Sequence, residues 1–274
     1  MDKLIGIQGI QGSFHHLVAQ QYFGQQVNVL EAMSFHEMVN SLVSGESQEA
    51  VMAIENSIAG SILPNYALID ENELQIIGEH YIPINMNLMS IPGQKITDIK
   101  KVFSHPMALL QCKEFFKNYP HIKLIEDTDT AEVARRISEK GSMGIAAVAS
   151  EAAAKIFGLE ILASGIHTKK SNATRFWIIS KIKKEPNGEV LNKASMKFEL
   201  ESTRGSLVSV LNIFRDFNLD MTKIQSMPII ETPWKYSFFV DVIFEDHSEF
   251  LKAMEIITVM TDHLKILGTY KNRL

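Results

Sequence analysis

Leu4-Ile5-Gly6-Ile7-Gln8-Gly9-Ile10-Gln11-Gly12-Ser13-Phe14 is the stretch on which the fold turns. Leu4 to Ile7 gives a short strand, Gly9 to Gly12 a tight turn, and Ser13-Phe14 the entry to a helix running to about Phe23. Strand, glycine loop and helix in that order open an α/β fold. Glycine lets backbone approach a ligand closely, and a helix start offers N–H groups to an anion, so Gly12 and Ser13 are candidate carboxylate contacts. A plain turn explains the same residues. The spacing is G-x-x-G-x-x-G, not the G-x-G-x-x-G of dinucleotide binders.

Outward from this unit the pattern repeats. Ser34 with Glu37, and Asp129 with Glu132, are capping-box pairs that mark helix starts. Short apolar strands are expected at Ala50 to Ile54, Val102 to Phe103, Lys123 to Ile125 and Met143 to Val148. Near Lys181 the pattern stops at Lys183-Lys184-Glu185-Pro186-Asn187-Gly188-Glu189, a charged Pro/Gly segment with no apolar period. Beyond it, a strand around Phe198, a helix around Leu207 to Phe214, a strand from Met221 to Ile230 and an alternating run from Tyr236 to Phe244 follow. A helix capped at Asp246 and a strand near Leu264 to Thr269 complete a β-α-β-β-α-β order, which is a ferredoxin-like module.

Composition narrows the function. A chain of 274 residues with 46% hydrophobic content has enough apolar surface for two or three folding units. A formal charge of -5 and a pI near 6.0 argue against nucleic acid as partner, because such proteins need a basic footprint to displace counterions. The N-terminus has no secretory pattern, and the alanine-rich region from Gly144 to Ile166 carries Glu151, Lys155 and Glu160, which excludes an unaided membrane span. A cytoplasmic protein is expected. The single cysteine, Cys112, cannot form an internal disulfide, lies on an apolar helical stretch and reads as a buried structural thiol. No paired Cys/His spacing supports a zinc site, and no metal is expected.

Three polar segments adjoin strands, and the first two follow strand ends, where open α/β sheets bind ligands. Ile54-Glu55-Asn56-Ser57-Ile58-Ala59-Gly60-Ser61 is dense in hydrogen-bonding side chains. Ser104-His105-Pro106 through Gln111-Cys112 follows the second strand. Ser171-Asn172-Ala173-Thr174-Arg175-Phe176 precedes the last strand before the linker, and Arg175 offers a planar cation suited either to a carboxylate or to an interdomain ion pair.

Together these segments resemble the prephenate dehydratase family. Gly9 to Phe14 is similar to its G-P-x-G-T-F-S opening, Ile54 to Ser61 to I-E-N-S-x-x-G-S, Ser104 to Cys112 to S-H-P-x-A-x-x-Q-C, and Asn172 to Phe176 to N-x-T-R-F. The C-terminal module resembles an ACT domain, with Gly205-Ser206-Leu207-Val208 for G-A-L-V and Gln225-Ser226-Met227-Pro228 for E-S-R-P. The departures are Ser13, His15 and Met107 in the catalytic region, and Gln225, Met227 and Asp220 in the ACT module.

The resemblance implies a two-lobed α/β catalytic domain similar to periplasmic binding protein folds over 1–182. Its lobes would be about 1–77 with 165–182, and 78–164, followed by a linker at 183–194 and a ferredoxin-like ACT domain at 195–274. It implies cofactor-free conversion of prephenate to phenylpyruvate, with Thr174 as the hydroxyl that serves the leaving group and Glu55, Asn56, Ser104 and Gln111 around it. Arg175, Phe176, Ser13, Gly12 and Ser57 would bind substrate. Gly205, Ser206, Leu207, Val208, Gln225, Ser226 and Pro228 would bind L-phenylalanine as effector. A homodimer or homotetramer through the ACT modules is implied, and a chain without a chorismate mutase helix bundle. Arogenate as substrate, or a noncatalytic amino-acid sensor, are the competing readings; an intact Thr174-Arg175-Phe176 speaks against the sensor.

Overall fold

A computed structural model describes residues 3–183, 190–201, 203–229 and 232–274. Half of the predicted linker, 184–189, and Ile230 at the end of the predicted strand lie outside them. The chain divides into two compact units, 1–62 with 81–176 and 63–80 with 177–274.

The first unit is built on two sheets. Strands β1 (Leu4–Gln8), β2 (Asn28–Ala32), β3 (Glu49–Asn56), β4 (Gly60–Ser61), β5 (Gln75–Pro83) and β11 (Ala173–Ser180) make a sheet ordered β2-β1-β3-β11-β5, with β4 folded back on β3. β5 and β11 each pass from one unit into the other along their length. β1 runs parallel to both β2 and β3. Helices α1 (Phe14–Phe23) and α2 (Phe35–Ser44) connect these strands, and Ser13 and Ser34 cap them by accepting from His16 N and Glu37 N, as the sequence predicts. The capping box at Ser34 closes one residue early, because Glu37 Oε2 accepts from Met33 N at 2.8 Å.

The second sheet of this unit is ordered β10-β6-β9-β7-β8, from β6 (Asn87–Ser90), β7 (Lys101–Ser104), β8 (Lys123–Glu126), β9 (Ile145–Ala149) and β10 (Glu160–Ala163). α4 (Pro106–Gln111) and α5 (Lys113–Phe116) follow β7. α6 (Thr130–Lys140) and α7 (Glu151–Phe157) pack against β9 and its flank around Ala131, Val133, Ala147 and Ala153. The chain thus leaves the first sheet at Pro83 and rejoins it at Ala173.

Ile10, from the glycine loop after β1, is buried in that second core. Ser150 Oγ donates to Gly12 O at 2.6 Å, and a Cβ on Gly12, where φ is +89, would stand 3.0 Å from Ala153 Cα. Close packing against α7 therefore accounts for Gly12.

In the second unit β12 (Lys193–Glu199), α8 (Ser206–Asp216), β13 (Asp220–Pro228), β14 (Tyr236–Ile243), α9 (His247–Met260) and β15 (Asp262–Tyr270) realise the expected ferredoxin-like order, with an antiparallel sheet ordered β13-β14-β12-β15. Phe198, Val210, Phe214, Val240, Phe250 and Ile257 form its core. β12 opens at Lys193, inside the stretch that the sequence gives to the linker, and is anchored there by a buried ion pair to Glu79. Residues 63–80, with α3 (Leu63–Glu71), pack on this module. The Tyr66 ring meets Trp177 and Phe239 edge-on at 5.1 and 5.2 Å, and Gly268 is glycine because a Cβ there would fall 2.0 Å from Ile76 O. Among the described residues no helix is long and apolar enough to cross a membrane.

Candidate active site

Asn56 ends β3 and Thr174 lies at the start of β11, so two neighbouring strand ends bring together residues 118 positions apart. Asn56 Nδ2 lies 2.9 Å from Thr174 Oγ1, 2.7 Å from Asn172 Oδ1 and 3.1 Å from Ala173 O. Its own oxygen accepts from Ile58 N and Ala59 N at 3.0 Å each, an Asx turn that fixes the tight return into β4. Ser57 stitches the same two segments: Ser57 N donates to Ala173 O at 2.9 Å, and its hydroxyl accepts from Ala173 N at 3.0 Å and donates to Ser171 O at 3.3 Å.

Gln111, at the end of α4 beyond the second sheet, joins this cluster. Its Oε1 accepts from Asn172 Nδ2 at 2.9 Å, and Thr168 holds its carbonyl with both N–H and hydroxyl. Asn172 and Thr174 are both buried.

Other predicted residues lie differently. Alternation along β3 turns Glu55 to the face opposite Asn56, and alternation along β11 turns Arg175 away from Thr174 and Phe176. Phe176 is buried with its ring edge-on to His15 at 5.0 Å. The Arg175 guanidinium sits over the Tyr81 ring, 5.9 Å from its centroid, and is nearly enclosed. Ser104 is fully buried and donates to Val148 O at 2.6 Å, which ties β7 to β9.

Gly12 and Ser13 are not drawn into the Asn56–Thr174 cluster. Gly12 N donates to His16 Nδ1 at 3.1 Å, Gln11 N to Glu31 Oε1 at 2.8 Å, and Ser13 Oγ accepts from His16 N at 3.2 Å. Burial lowers the His16 pKa, and the neutral ring it favours can accept from Gly12.

His15, buried between Phe35 and Phe176, accepts from Ala53 N at 3.3 Å, where β3 has run past its last paired residue with β1. Burial pushes its pKa down to about 3, so the ring is neutral at physiological pH. Cys112 is fully buried and its thiol is pushed up to about 12. Asn172 was visible in the sequence only as one letter of N-x-T-R-F; its tie to Gln111 gives it a place at the centre of the cluster.

In the C-terminal module, Gly205 (φ +84) precedes Ser206, Leu207 and Val208 at the start of α8, while Gln225, Ser226 and Pro228 lie at the end of β13. Gln225 and Met227 are half-buried; Ser226 and Pro228 are exposed.

A two-sheet α/β unit carrying a cluster of amides and a hydroxyl, with a ferredoxin-like βαββαβ module after it, has the make-up of a small-molecule enzyme with an appended module. The chain belongs to the prephenate dehydratase family, whose family model matches residues 5–184. It is 33% identical over 96% of its length to a bifunctional chorismate mutase/prephenate dehydratase of Buchnera aphidicola, covering 69% of that protein. It is 32% identical over 97% of its length to the chloroplastic arogenate dehydratase/prephenate dehydratase 1 of Arabidopsis thaliana, covering 71%. Among solved structures, prephenate dehydratase of Arthrobacter aurescens in complex with L-Phe superposes with a TM-score of 0.88 at 25% identity, covering 98% of this chain and 90% of that one. A protein described as a novel type of quorum quenching acylase has the same TM-score at 26% identity, covering 98% and 97%. The chain is accordingly a lyase of the dehydratase type.

Proposed function

We propose that the enzyme converts prephenate to phenylpyruvate at the Asn56–Thr174 cluster. The ring C–CO2 bond breaks and its electron pair enters the ring, while the C–OH bond breaks with its pair on oxygen; carbon dioxide and hydroxide leave an aromatic product. Aromatisation drives the reaction, and the protein has to position the substrate and assist the departing oxygen. The observation that carries this reading is the 2.9 Å contact in which Thr174 Oγ1 accepts from Asn56. With its lone pair so engaged, the hydroxyl keeps its proton for an acceptor, here the leaving hydroxyl, and water restores any proton given up.

Arg175 is the proposed source of positive charge for a substrate carboxylate, acting through its field from the face of β11 opposite Thr174 and not beside its hydroxyl; the guanidinium stays charged at any working pH. Glu55, Ser104, Phe176 and Ser57 shape the surroundings. The helix start at Gly12 and Ser13 is a further proposed carboxylate contact, through the Phe14 and His15 amides that follow, because the Gly12 and Ser13 N–H groups already donate to His16 Nδ1 and Ile10 O. The cytosol is the proposed location, and the ACT modules are the proposed contact in a homodimer or homotetramer.

L-phenylalanine is the proposed effector, at Gly205 to Val208 and Gln225, Ser226 and Pro228. The L-Phe complex of the Arthrobacter aurescens relative supports this choice. Incubation of the purified protein with prephenate or with arogenate, following phenylpyruvate or phenylalanine, tests the reaction. Turnover of prephenate is expected; turnover of arogenate alone would replace the substrate, and turnover of neither would refute the proposal. Calorimetry with phenylalanine tests the effector, and absence of binding heat would remove it.

A further inference from the structure

The amide side chains beside Thr174 have no freedom of orientation. Asn56 Oδ1 is occupied by the N–H groups of Ile58 and Ala59, so the Nδ2 edge must face Asn172 and Thr174. The Asn172 oxygen accepts from Asn56, so its Nδ2 must face Gln111, 2.9 Å away. The Gln111 oxygen is consumed in turn, and its Nε2 is what remains to be offered. Protons therefore run one way along the chain, from the turn after β3 to the end of α4. Both open ends, the Thr174 hydroxyl proton and Gln111 Nε2–H, are donors without a partner among the described residues.

We infer that Asn172 is a positioning residue that carries this polarity from Asn56 to Gln111, so that Gln111 as well as Thr174 presents a donor to an acceptor oxygen of the ligand. Asn172 is buried, with 1% of its surface exposed, so it acts through Gln111 and Asn56 and does not itself reach the ligand. The inference rests on the dehydratase reading for the identity of that ligand. A dianion with a departing hydroxyl fits: hydroxyl oxygen at Thr174, and carboxylate or keto oxygen at Gln111. An ordinary buried asparagine would serve packing equally well in either orientation, and this one is held by donors and acceptors at both ends.

Asn172→Asp tests it. An ionised carboxylate still accepts from Asn56 but cannot donate to Gln111, so the Gln111 amide turns over and offers its oxygen to the substrate. A protonated carboxyl donates again and restores the original polarity. The Asp variant is expected to lose about tenfold or more in kcat at pH 8, with a smaller change in KM, and to recover as the pH falls towards 5.5. Wild type and Asn172→Ala should show no such recovery. Parallel pH profiles for the wild type and the Asp variant would overturn the inference.

A substrate-free measurement separates this from the dehydratase reading. In side-chain amide NMR of the wild-type protein the Gln111 NH2 should exchange with solvent faster than the Asn172 NH2. In the Asp variant at pH 8 the Gln111 NH2 should become protected. An unprotected Gln111 NH2 there overturns the polarity, whether or not the wild type turns over prephenate.

Discussion

Lys193 Nζ lies 3.0 Å from each carboxylate oxygen of Glu79, and both side chains are closed off from solvent, 1% and 0% exposed. Arg273 N adds a third donor to Glu79 Oε1 at 3.2 Å. Burying two charges is unfavourable, and only close geometry with extra hydrogen bonds offsets it, so leaving one charge alone is worse than removing both. Glu79→Ala should lower unfolding stability by about 3–5 kcal/mol, whereas Glu79→Leu with Lys193→Met should recover most of that loss. Urea unfolding of the three proteins checks this; a single variant within about 1 kcal/mol of wild type would show that the pair holds nothing.

Thr174 gives the sharpest catalytic test. Thr174→Val keeps the shape of the side chain and removes the proton proposed to serve the leaving group. Its kcat should fall by roughly 10²- to 10⁴-fold with KM changed only a few fold, and Thr174→Ser should retain most of the activity. Initial rates with prephenate decide, with circular dichroism to confirm the fold. Equal, modest changes in kcat and KM for the Val variant would assign Thr174 to binding alone.

Much of this was legible in the residues. Helix starts at Ser13, Ser34, Asp129 and Asp246 were readable because a cap is a local event, set by one side-chain oxygen and the next few N–H groups. The β-α-β-β-α-β order followed from periodicity, which needs no partner. The nearness of Asn56 and Thr174 came from family resemblance; neither segment alone points to the other. What stayed hidden was long-range or vectorial. Nothing around Gly12 announces Ala153, and nothing around Gly268 announces Ile76. Lys193 reads as a linker residue until Glu79 is placed beside it. Strand alternation, which separates Thr174 from Arg175, was available in principle, but a motif read as a block obscures it.

Cys112 should be inert in the native protein. Its thiol is fully buried and held up to about 12, so thiolate is scarce at any ordinary pH. An alkylating reagent at pH 8 should label it only after denaturation, and mass spectrometry of native and urea-treated samples distinguishes the two. Rapid labelling of the native protein would show that the α4–α5 junction opens far more readily than this packing allows.

His15 makes the fold sensitive to acid. In the folded chain its pKa is about 3, against an ordinary value of 6.5, because the ring is buried between Phe35 and Phe176. Between those two values the unfolded chain holds a proton that the folded chain does not, so unfolding takes up protons and stability rises with pH. The contribution is complete above pH 6.5 and is lost as the pH falls from there towards 3, by up to about 1.4 kcal/mol per pH unit. His15→Gln keeps an oxygen that can accept from Ala53 N and removes the titration, at the expense of the ring contacts. It should be less stable than wild type at pH 7 yet lose less on going to pH 5. Urea unfolding of both proteins at the two pH values gives the four numbers needed, and equal losses in the two proteins would mean that His15 is not the group responsible.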